Sequence, residues 1–314
     1  MAGALALNFT ASGTPYTANS INFTNTAATT MIGVGGGANL DIGAGGITTG
    51  TGAVTIGQNS GTGVNMSLSA IQTWNVGPGG LTVSNNISDG NAFTKTGSGT
   101  FTLNSGGAGS FGGGITVNAG IMNLDFVNLG ATANLVASGS SLALGGGTLN
   151  IKGNSANNSS QTLGNVTLNV GGGQILVNPY GAARTATLTL GALPYTVATG
   201  SSAGSSLVIG TSLAALGTVA ITTTTNKDAT GIYGGRIVFA NGTANTGYNW
   251  ATTVSAGPAF TLSAYSGYTT MVVGATSDAL NDRWWERASR SPARTRITPS
   301  NSKAPRERWH SEPT

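Results

Sequence analysis

Residues Phe93 to Leu124 read FTKTGSGTFTLNSGGAGSFGGGITVNAGIMNL, and this stretch decides the expected fold. It contains three triplets with a polar residue between two apolar ones: Phe101-Thr102-Leu103, Ile115-Thr116-Val117 and Met122-Asn123-Leu124. Because successive side chains of an extended strand point to opposite sides, the apolar members of each triplet share one side. Each triplet is therefore predicted to be a half-buried strand.

Glycine-rich segments separate these triplets: Gly97-Ser98-Gly99, Gly112-Gly113-Gly114 and Ala119-Gly120. Glycine adopts positive φ angles at little steric cost, and sharp turns need such angles. The stretch therefore predicts short strands joined by tight corners, not a helix.

The same stretch resembles the autotransporter-associated β-strand repeat. The residues that match its pattern, and that we expect to have structural roles, are Lys95, Gly97, Gly99, Thr100, Phe101, Leu103, Gly113, Gly114, Val117 and Gly120. Where the family has Asn-Thr-Tyr before the double glycine, this chain has Gly109-Ser110-Phe111, and Phe111 keeps the aromatic position. The resemblance implies a right-handed parallel β-helix, also called a β-solenoid, in a secreted or surface-displayed bacterial protein. It implies no catalytic site.

The composition favours ordered β structure. The chain has 51 glycines among 314 residues, 39% hydrophobic residues and only 7% charged residues, whereas disordered chains combine low hydrophobicity with high net charge. Cysteine is absent from the sequence, which excludes disulfides and thiolate metal sites. No run of apolar residues is long enough for a membrane-spanning helix, and we expect any export signal to lie outside this chain.

The alternating pattern recurs through most of the sequence. Examples are Leu5-Ala6-Leu7, Ile21-Asn22-Phe23, Leu40-Asp41-Ile42, Val54-Thr55-Ile56, Met66-Ser67-Leu68, Leu81-Thr82-Val83, Leu142 to Leu144, Leu149 to Ile151, Gln161 to Val170 and Thr185 to Leu190. Strands this short are stable only when neighbouring coils stack. We predict a β-solenoid over residues 1–277, with about 20 residues per coil and on the order of fourteen coils.

The character of the chain changes at Asp278. Residues 278–314 carry most of the basic residues, the single histidine, His310, and four prolines. We expect a charged, low-complexity tail that is disordered or partly helical, and we hypothesise that it is a non-native extension. Its arginines and tryptophans suggest an anionic ligand, but the interspersed acids and prolines favour a solvated tail, and no nucleic acid is expected.

Residues 231–270 are rich in aromatic side chains and resemble the region that often follows these repeats. One interpretation is a set of wider coils that pack bulky side chains, and the other is an aromatic platform that binds sugar.

The ordered part offers little chemistry. Its carboxylates, Asp41, Asp89, Asp125 and Asp228, are far apart in sequence, and we interpret them as solvated. The glycines of residues 33–37 precede a strand-like segment, so they lack the helix that a phosphate site needs. Residues 36–41 resemble a single, degraded calcium-binding nonapeptide, which does not recur. We therefore predict no catalytic, cofactor or metal site.

Three functions remain open. The first is a structural, non-enzymatic passenger that serves adhesion, matrix building or surface display, with a polysaccharide or a host or neighbouring cell surface as its partner. The second is a β-helical enzyme or binding module that acts on polysaccharide. The third is an extracellular fibre that self-associates through the open ends of the solenoid. The first places the chain at the bacterial outer membrane or outside the cell, with an outer-membrane translocator expected outside this chain.

Overall fold

The computed structural model describes residues 5–9, 15–33, 38–57, 64–88, 90–106, 110–195, 204–211, 217–242, 247–255 and 257–268. Within these ranges the secondary structure is entirely β, and no helix is present. None of the described elements is therefore a helix that could cross a membrane.

The first half of the chain contributes thirteen strands, which are β1 (Leu5–Phe9), β2 (Tyr16–Phe23), β3 (Thr29–Gly33), β4 (Ala38–Thr49), β5 (Val54–Ile56), β6 (Val64–Leu68), β7 (Gln72–Asn75), β8 (Leu81–Val83), β9 (Ile87–Ser88), β10 (Phe93–Thr96), β11 (Thr100–Leu103), β12 (Ile115–Val117) and β13 (Ile121–Asp125). The second half contributes β14 (Leu142–Leu144), β15 (Thr148–Lys152), β16 (Ser159–Thr162), β17 (Val166–Leu168), β18 (Gly173–Asn178), β19 (Thr185–Leu190), β20 (Leu207–Thr211), β21 (Thr218–Thr223), β22 (Ile237–Asn241), β23 (Tyr248–Thr253) and β24 (Phe260–Ala264). Each of the triplets predicted from the sequence lies within one of these strands.

Parallel pairing dominates. The strands β1, β3, β5, β8, β11, β13, β15, β18, β20 and β22 are hydrogen-bonded in that order, each parallel to the next, and we call them the first row. Parallel neighbours cannot be joined by a tight hairpin, so the chain must leave the row and return between consecutive members.

The separation between paired residues in the first row varies along the chain. Leu81 pairs with Phe101, twenty residues later, and Phe101 pairs with Met122. Ile175, by contrast, pairs with Ile209, thirty-four residues later. The expectation of about 20 residues per repeat is therefore correct only around residues 81–122. The first row contains ten described strands, fewer than the fourteen repeats that we expected. Longer connections outside the quoted stretch account for the difference.

Two further rows run beside the first. The strands β7, β10, β12, β14 and β17 pair successively in parallel and form the second row. The strands β16, β19 and β21 pair in parallel and form the third row.

The last two strands break the parallel pattern. Strand β23 pairs antiparallel with β22, which is the last strand of the first row, and β24 pairs antiparallel with both β23 and β21. The β23–β24 pair therefore links the first row to the third and occupies the outer edges of β22 and β21. The interpretation of residues 231–270 as wider coils does not apply to these two strands, because they run antiparallel to their neighbours.

A continuous apolar core lies behind the rows. Its members are the inward residues of the alternating strands, which the burial patterns confirm: Val54 and Ile56 are buried with Thr55 half-buried between them, and Leu81 and Val83 flank Thr82 in the same way. Stacked apolar residues from successive strands thus remove one another from water.

The chain divides into two compact units, residues 1–266 and residues 267–314. Of the second unit only Gly267 and Tyr268 are described. The predicted change at residue 278, the charged tail and the helix expected within it all lie outside the described residues.

Candidate functional site

Strand β10 carries a lysine, Lys95, whose side chain is fully buried, an uncommon position for a charged group. Lys95 is paired in register between Trp74 of β7 and Val117 of β12, and all three side chains are fully buried. Alternation along β10 dictates this placement, since Phe93 and Lys95 share one side of the strand while Thr94 and Thr96 share the other.

The buried ammonium of Lys95 is satisfied by backbone carbonyls of two consecutive turns. Its Nζ donates to the carbonyl oxygens of Thr96 at 3.1 Å and Gly97 at 2.8 Å, and to that of Ala119, in the next turn, at 2.9 Å. Hydrogen bonds from a charged donor are stronger than neutral ones. The lysine therefore cross-links two stacked turns, a task for which a long, flexible cation is suited.

Burial has an electrostatic consequence. Removal of the ammonium from water lowers the pKa of Lys95 to about 8. The three carbonyl acceptors hold the protonated form in place at neutral pH.

Three of the predicted glycines, Gly97, Gly99 and Gly120, lie in the two turns that Lys95 joins, and these turns leave no room for a side chain at the three positions. Gly97 and Gly120 have φ angles of 76° and 63°, in the left-handed region that favours glycine. A Cβ at Gly120 would lie 2.7 Å from the Nζ of Lys95 and 2.7 Å from the carbonyl oxygen of Gly97. A Cβ at Gly99 would collide with the carbonyl oxygen of Gly77 in the preceding turn.

Gly113 and Gly114 lie in a different turn, the one that leads into β12. Gly114 has a φ of 106°, and a Cβ at Gly113 would lie 2.6 Å from the backbone nitrogen of Ala92. The glycines of the motif thus belong to two different turns of the repeat. In both turns, atoms of a neighbouring repeat leave no space for a Cβ.

The remaining motif residues belong to strands. Phe101 and Leu103 are fully buried on β11, Val117 is fully buried on β12, and Thr100 is half-buried at the start of β11. All ten motif residues therefore have positions that packing or turn geometry explains.

An aromatic cluster lies in the core beside the lysine. Trp74 makes edge-to-face contacts with Phe93 and Phe101, with ring centroids 5.0 and 5.1 Å apart, and Phe93 stacks on Phe111 at 4.4 Å. Phe111 is fully buried and has a φ of 59°, which is unusual for a bulky residue. The side chain at the predicted aromatic position thus helps to fill the core.

One buried polar residue beside Trp74 was not predicted from the sequence. Gln72 is fully buried, accepts a hydrogen bond from the indole Nε1 of Trp74 at 3.1 Å, and donates from Nε2 to the carbonyl oxygens of Ile42 and Gly43. Alternation along Gln72-Thr73-Trp74-Asn75 would have placed Gln72 on the same side as Trp74. Because glutamine is polar, the pattern does not look like a strand with one apolar side.

The outward side of the second row is uncharged and polar except at Ala143 on β14. Its strands present Thr73 on β7, Thr94 and Thr96 on β10, Thr116 on β12 and Thr167 on β17, while the intervening residues are buried. Lys95, the charged residue in these strands, points inward.

The described aspartates have separate structural partners. Asp41 accepts a hydrogen bond from Ser67 at 3.0 Å, and Asp125 forms an ion pair with Lys152 at 3.4 Å. Asp228 accepts hydrogen bonds from the backbone nitrogens of Thr230 and Gly234 and so closes a local turn. Asp89 lies outside the described residues, as do residues 34–37 of the glycine-rich segment. Among the described residues, no group of three His, Cys, Asp or Glu side chains is placed to hold a metal ion.

The aromatic residues of residues 231–268 are distributed between the core and the surface. Tyr233 is fully buried, and its hydroxyl donates to the carbonyl oxygen of Thr225 at 2.8 Å. Burial, with a smaller contribution from Tyr195, raises the pKa of Tyr233 to about 12. Tyr248 and Tyr268 are exposed.

Comparison of the chain with protein-family models, with curated protein sequences and with solved structures gives no match. The function must therefore be argued from the geometry of the chain itself.

Proposed function

We propose that the chain is a structural, non-enzymatic part of a secreted or surface-exposed protein of the autotransporter-associated repeat type. In this proposal the three rows are the faces of a right-handed parallel β-helix, and the polar outer faces serve adhesion, matrix building or surface display.

One observation carries the proposal. Ten strands of the first row stack in parallel register, although the connections between them differ in length. Such stacking makes a repetitive scaffold whose core depends on neighbouring repeats. The outward residues of the second row include no carboxylate, amine, imidazole or thiol, and the buried ammonium of Lys95 is held by backbone carbonyls.

The ends of the rows limit how such a scaffold would self-associate. The outer edges of β22 and β21 are already paired with β23 and β24. A free strand edge can template pairing with another chain. Among the described strands, β1 pairs only with β3, β2 only with β4, and β17 only with β14. If the protein forms fibres, the other edges of these three strands are therefore the ones we expect to pair.

Surface display can be tested with an epitope inserted at residues 155–158. These residues are exposed and lie in the bends between β15 and β16, where an insertion disturbs little of the core. With the complete gene expressed in its native host, the proposal expects antibody to label intact cells or the culture medium. If label appears only after the cells are permeabilised, the proposal is wrong.

Adhesion is a separate measurement. The purified chain, attached to beads, should retain polysaccharide or cells of the producing species better than beads that carry an unrelated protein of similar charge. Equal retention on both kinds of bead would contradict the adhesive role but not surface display.

A further inference from the structure

The outward side of the first row changes character towards its last strands. On β8 and β11 the outward residues are threonines, Thr82 and Thr102. From β18 to β23, by contrast, the outward residues form two series of register partners that are mostly apolar. The first series is Gln174, Val208, Val238 and Trp250, and the second is Leu176, Gly210, Ala240 and Tyr248. We call these residues the β18–β23 face.

Burial of the alternating residues shows which side of these strands points outward. The residues that alternate with the face belong to the apolar core, namely Ile175, Leu207, Ile209, Ile237 and Ala251. Because successive side chains of a strand point to opposite sides, the β18–β23 face points away from the core. Tyr248 is 56% exposed and Gln174 is exposed, while Leu176, Val208, Val238 and Trp250 are half-buried.

No other row presents such a surface on its described strands. The outward residues of the second row are polar except at Ala143. Those of the third row are small: Ser160, Thr162, Thr185, Thr187, Thr189, Thr218, Ala220 and Thr222. Among the strands whose side chains the structure describes, Tyr248 and Trp250 are thus the aromatic residues that point outward, and they are adjacent on one side of β23.

The β18–β23 face is uncharged and has polar groups at two edges. Asp125 and Lys152, which are outward residues of β13 and β15, lie on earlier strands of the row and pair with each other at 3.4 Å. The amide of Gln174 lies on β18 and the hydroxyl of Tyr248 on β23, at opposite edges of the face. A surface without charge does not attract an ionic polymer, so its chemistry is complementary to a neutral ligand that has both apolar and hydroxyl groups.

Small residues keep the surface low beside Tyr248. Its register partner is Ala240, and the next residue of that series is Gly210. A Cβ at Gly210 would lie 2.1 Å from the carbonyl oxygen of Ala240, so the neighbouring strand leaves no space for a larger residue there. Four strands at a spacing of about 4.8 Å span roughly 14 Å, which is wide enough for more than one sugar ring.

The two aromatic rings point to the class of ligand. Tyr248 and Trp250 are two residues apart on β23, so their backbone positions are about 6.8 Å apart. The face of an aromatic ring is electron-rich and attracts the slightly positive C–H groups of a pyranose ring. In a β-1,4-linked chain, equatorial linkages hold successive pyranose rings in a flat ribbon, which can lie against the flat side of a sheet.

We propose that the β18–β23 face binds a neutral β-1,4-linked polysaccharide, with Tyr248 and Trp250 stacked on its sugar rings. The aliphatic residues of the face cover the remaining C–H groups, and Gln174 forms hydrogen bonds with hydroxyl groups of the sugar. This inference rests on the adhesive role proposed above and names the ligand and the surface that serve it.

The experiment measures binding of the full chain to cellohexaose, mannohexaose and xylohexaose, three neutral β-1,4-linked oligosaccharides, by isothermal titration calorimetry. Maltohexaose, whose α-1,4 linkages coil the chain, is the comparison for linkage. The proposal expects binding of at least one β-1,4-linked oligosaccharide and weaker binding of maltohexaose.

Three variants assign the binding to the face. Tyr248→Thr and Trp250→Thr introduce the residue that other outward positions carry, and threonine is favourable in strands. Each is expected to weaken binding by about tenfold or more, since one aromatic contact is lost. Tyr180→Thr is the matched control, because Tyr180 is 47% exposed but lies in the segment after β18, and it should bind as the unmodified chain does. Circular dichroism and urea unfolding check that each variant folds, and should Trp250→Thr unfold, Tyr248→Thr alone decides.

Four outcomes overturn the proposal. The first is that the unmodified chain binds none of the three β-1,4-linked oligosaccharides, and the second is that it binds maltohexaose equally well. The third is full binding by folded Tyr248→Thr, and the fourth is an equal loss in Tyr180→Thr. If sedimentation shows that Tyr248→Thr changes the oligomeric state of a chain that binds no glycan, the face belongs to an interface with a second copy.

Failure of this proposal is distinguishable from failure of the proposed function. Antibody labelling of intact cells reports surface display whether or not the β18–β23 face binds a sugar. Retention of cells by beads that carry folded Tyr248→Thr would keep the adhesive role and assign it to another surface.

Discussion

A Cβ at Gly120 would lie 2.7 Å from the Nζ of Lys95, although Lys95 belongs to strand β10 and Gly120 to the turn before β13. The ammonium also donates to Ala119, the residue before this glycine. The ammonium of Lys95 therefore lies where a side chain at residue 120 would begin. Lys95 can take this position only because residue 120 is glycine.

Gly120→Ala is expected to destabilise the fold. Alanine at a φ of 63° carries a penalty of about 1–2 kcal/mol, and its Cβ meets the carbonyl oxygen of Gly99 as well as Lys95. With the displacement of these groups included, we expect a loss of about 2–4 kcal/mol in the free energy of unfolding, measured by urea titration.

Gly130→Ala is the control for this change. No atom lies within 4 Å of the position that a Cβ at Gly130 would take, and the φ of this glycine is not in the left-handed region. We expect an effect between zero and a gain of about 1 kcal/mol, because alanine restricts the unfolded chain. Equal effects of the two substitutions would contradict the account of the Lys95 turn.

Lys95→Met is expected to weaken the same turn by a different route. Methionine fills similar space but removes the ammonium donor to the carbonyl oxygens of Gly97 and Ala119, and each unsatisfied buried group costs about 1–3 kcal/mol. The carbonyl oxygen of Thr96 keeps its hydrogen bond from the backbone nitrogen of Val76. Removal of a buried charge offsets part of this loss, so we expect a net loss of about 1–3 kcal/mol in urea unfolding at pH 7.

Lys152→Met provides the comparison for that variant. The side chain of Lys152 is 38% exposed and forms an ion pair with Asp125 at the surface. Such pairs contribute about 0.2–1 kcal/mol. A loss at Lys152 as large as that at Lys95 would show that burial among carbonyls is not what makes Lys95 important.

The strands could be predicted from the sequence where a polar residue separates two apolar ones. Val54-Thr55-Ile56, Leu81-Thr82-Val83 and Ile115-Thr116-Val117 coincide with β5, β8 and β12. Period-two alternation is sufficient there because one side of each strand packs on the core.

The core position of Gln72 could not be predicted in this way. An inward glutamine or lysine looks like a surface residue in the sequence, and only the surrounding backbone shows that its polar groups are satisfied. The reversal of β23 and β24 was also not apparent, because alternation indicates a strand but not its direction. The glycines in the turns beside Lys95 were predicted from their positions between the apolar triplets, but the close contacts that require them are visible only in the structure.

Trp74→Phe tests the buried polar pair in the aromatic cluster. The change removes the donor to the Oε1 of Gln72 and leaves a cavity among Phe93, Phe101 and Phe111. The transfer, cavity and hydrogen-bond effects together predict a loss of about 2–4 kcal/mol in urea unfolding. Ile71 directly precedes Gln72 and is 67% exposed, so Ile71→Ala should change stability by less than about 0.5 kcal/mol. A loss of stability in Ile71→Ala that matches the loss in Trp74→Phe would contradict this prediction.

The stability of the fold should depend on pH through two buried groups, Lys95 and Tyr233, whose pKa values are shifted in opposite directions. The pKa of Lys95 is lowered from 10.5 to about 8, so between these values the unfolded chain binds the proton that the folded chain has lost, and stability rises with pH. The pKa of Tyr233 is raised from 10.0 to about 12, so between these values the folded chain keeps the proton that the unfolded chain loses, and stability falls. Together they predict a maximum near pH 10.

Urea titrations from pH 7 to pH 12 measure how stability changes with pH. Two variants show which residue causes the rise and which causes the fall. Lys95→Met should remove most of the rise above pH 8, because no ammonium is left to lose its proton. Tyr233→Phe should remove most of the fall above pH 10, although it also removes the hydrogen bond to the carbonyl oxygen of Thr225 and so lowers stability at every pH. If the rise persists in Lys95→Met, another group titrates there, and the buried ammonium is not the source of the pH dependence.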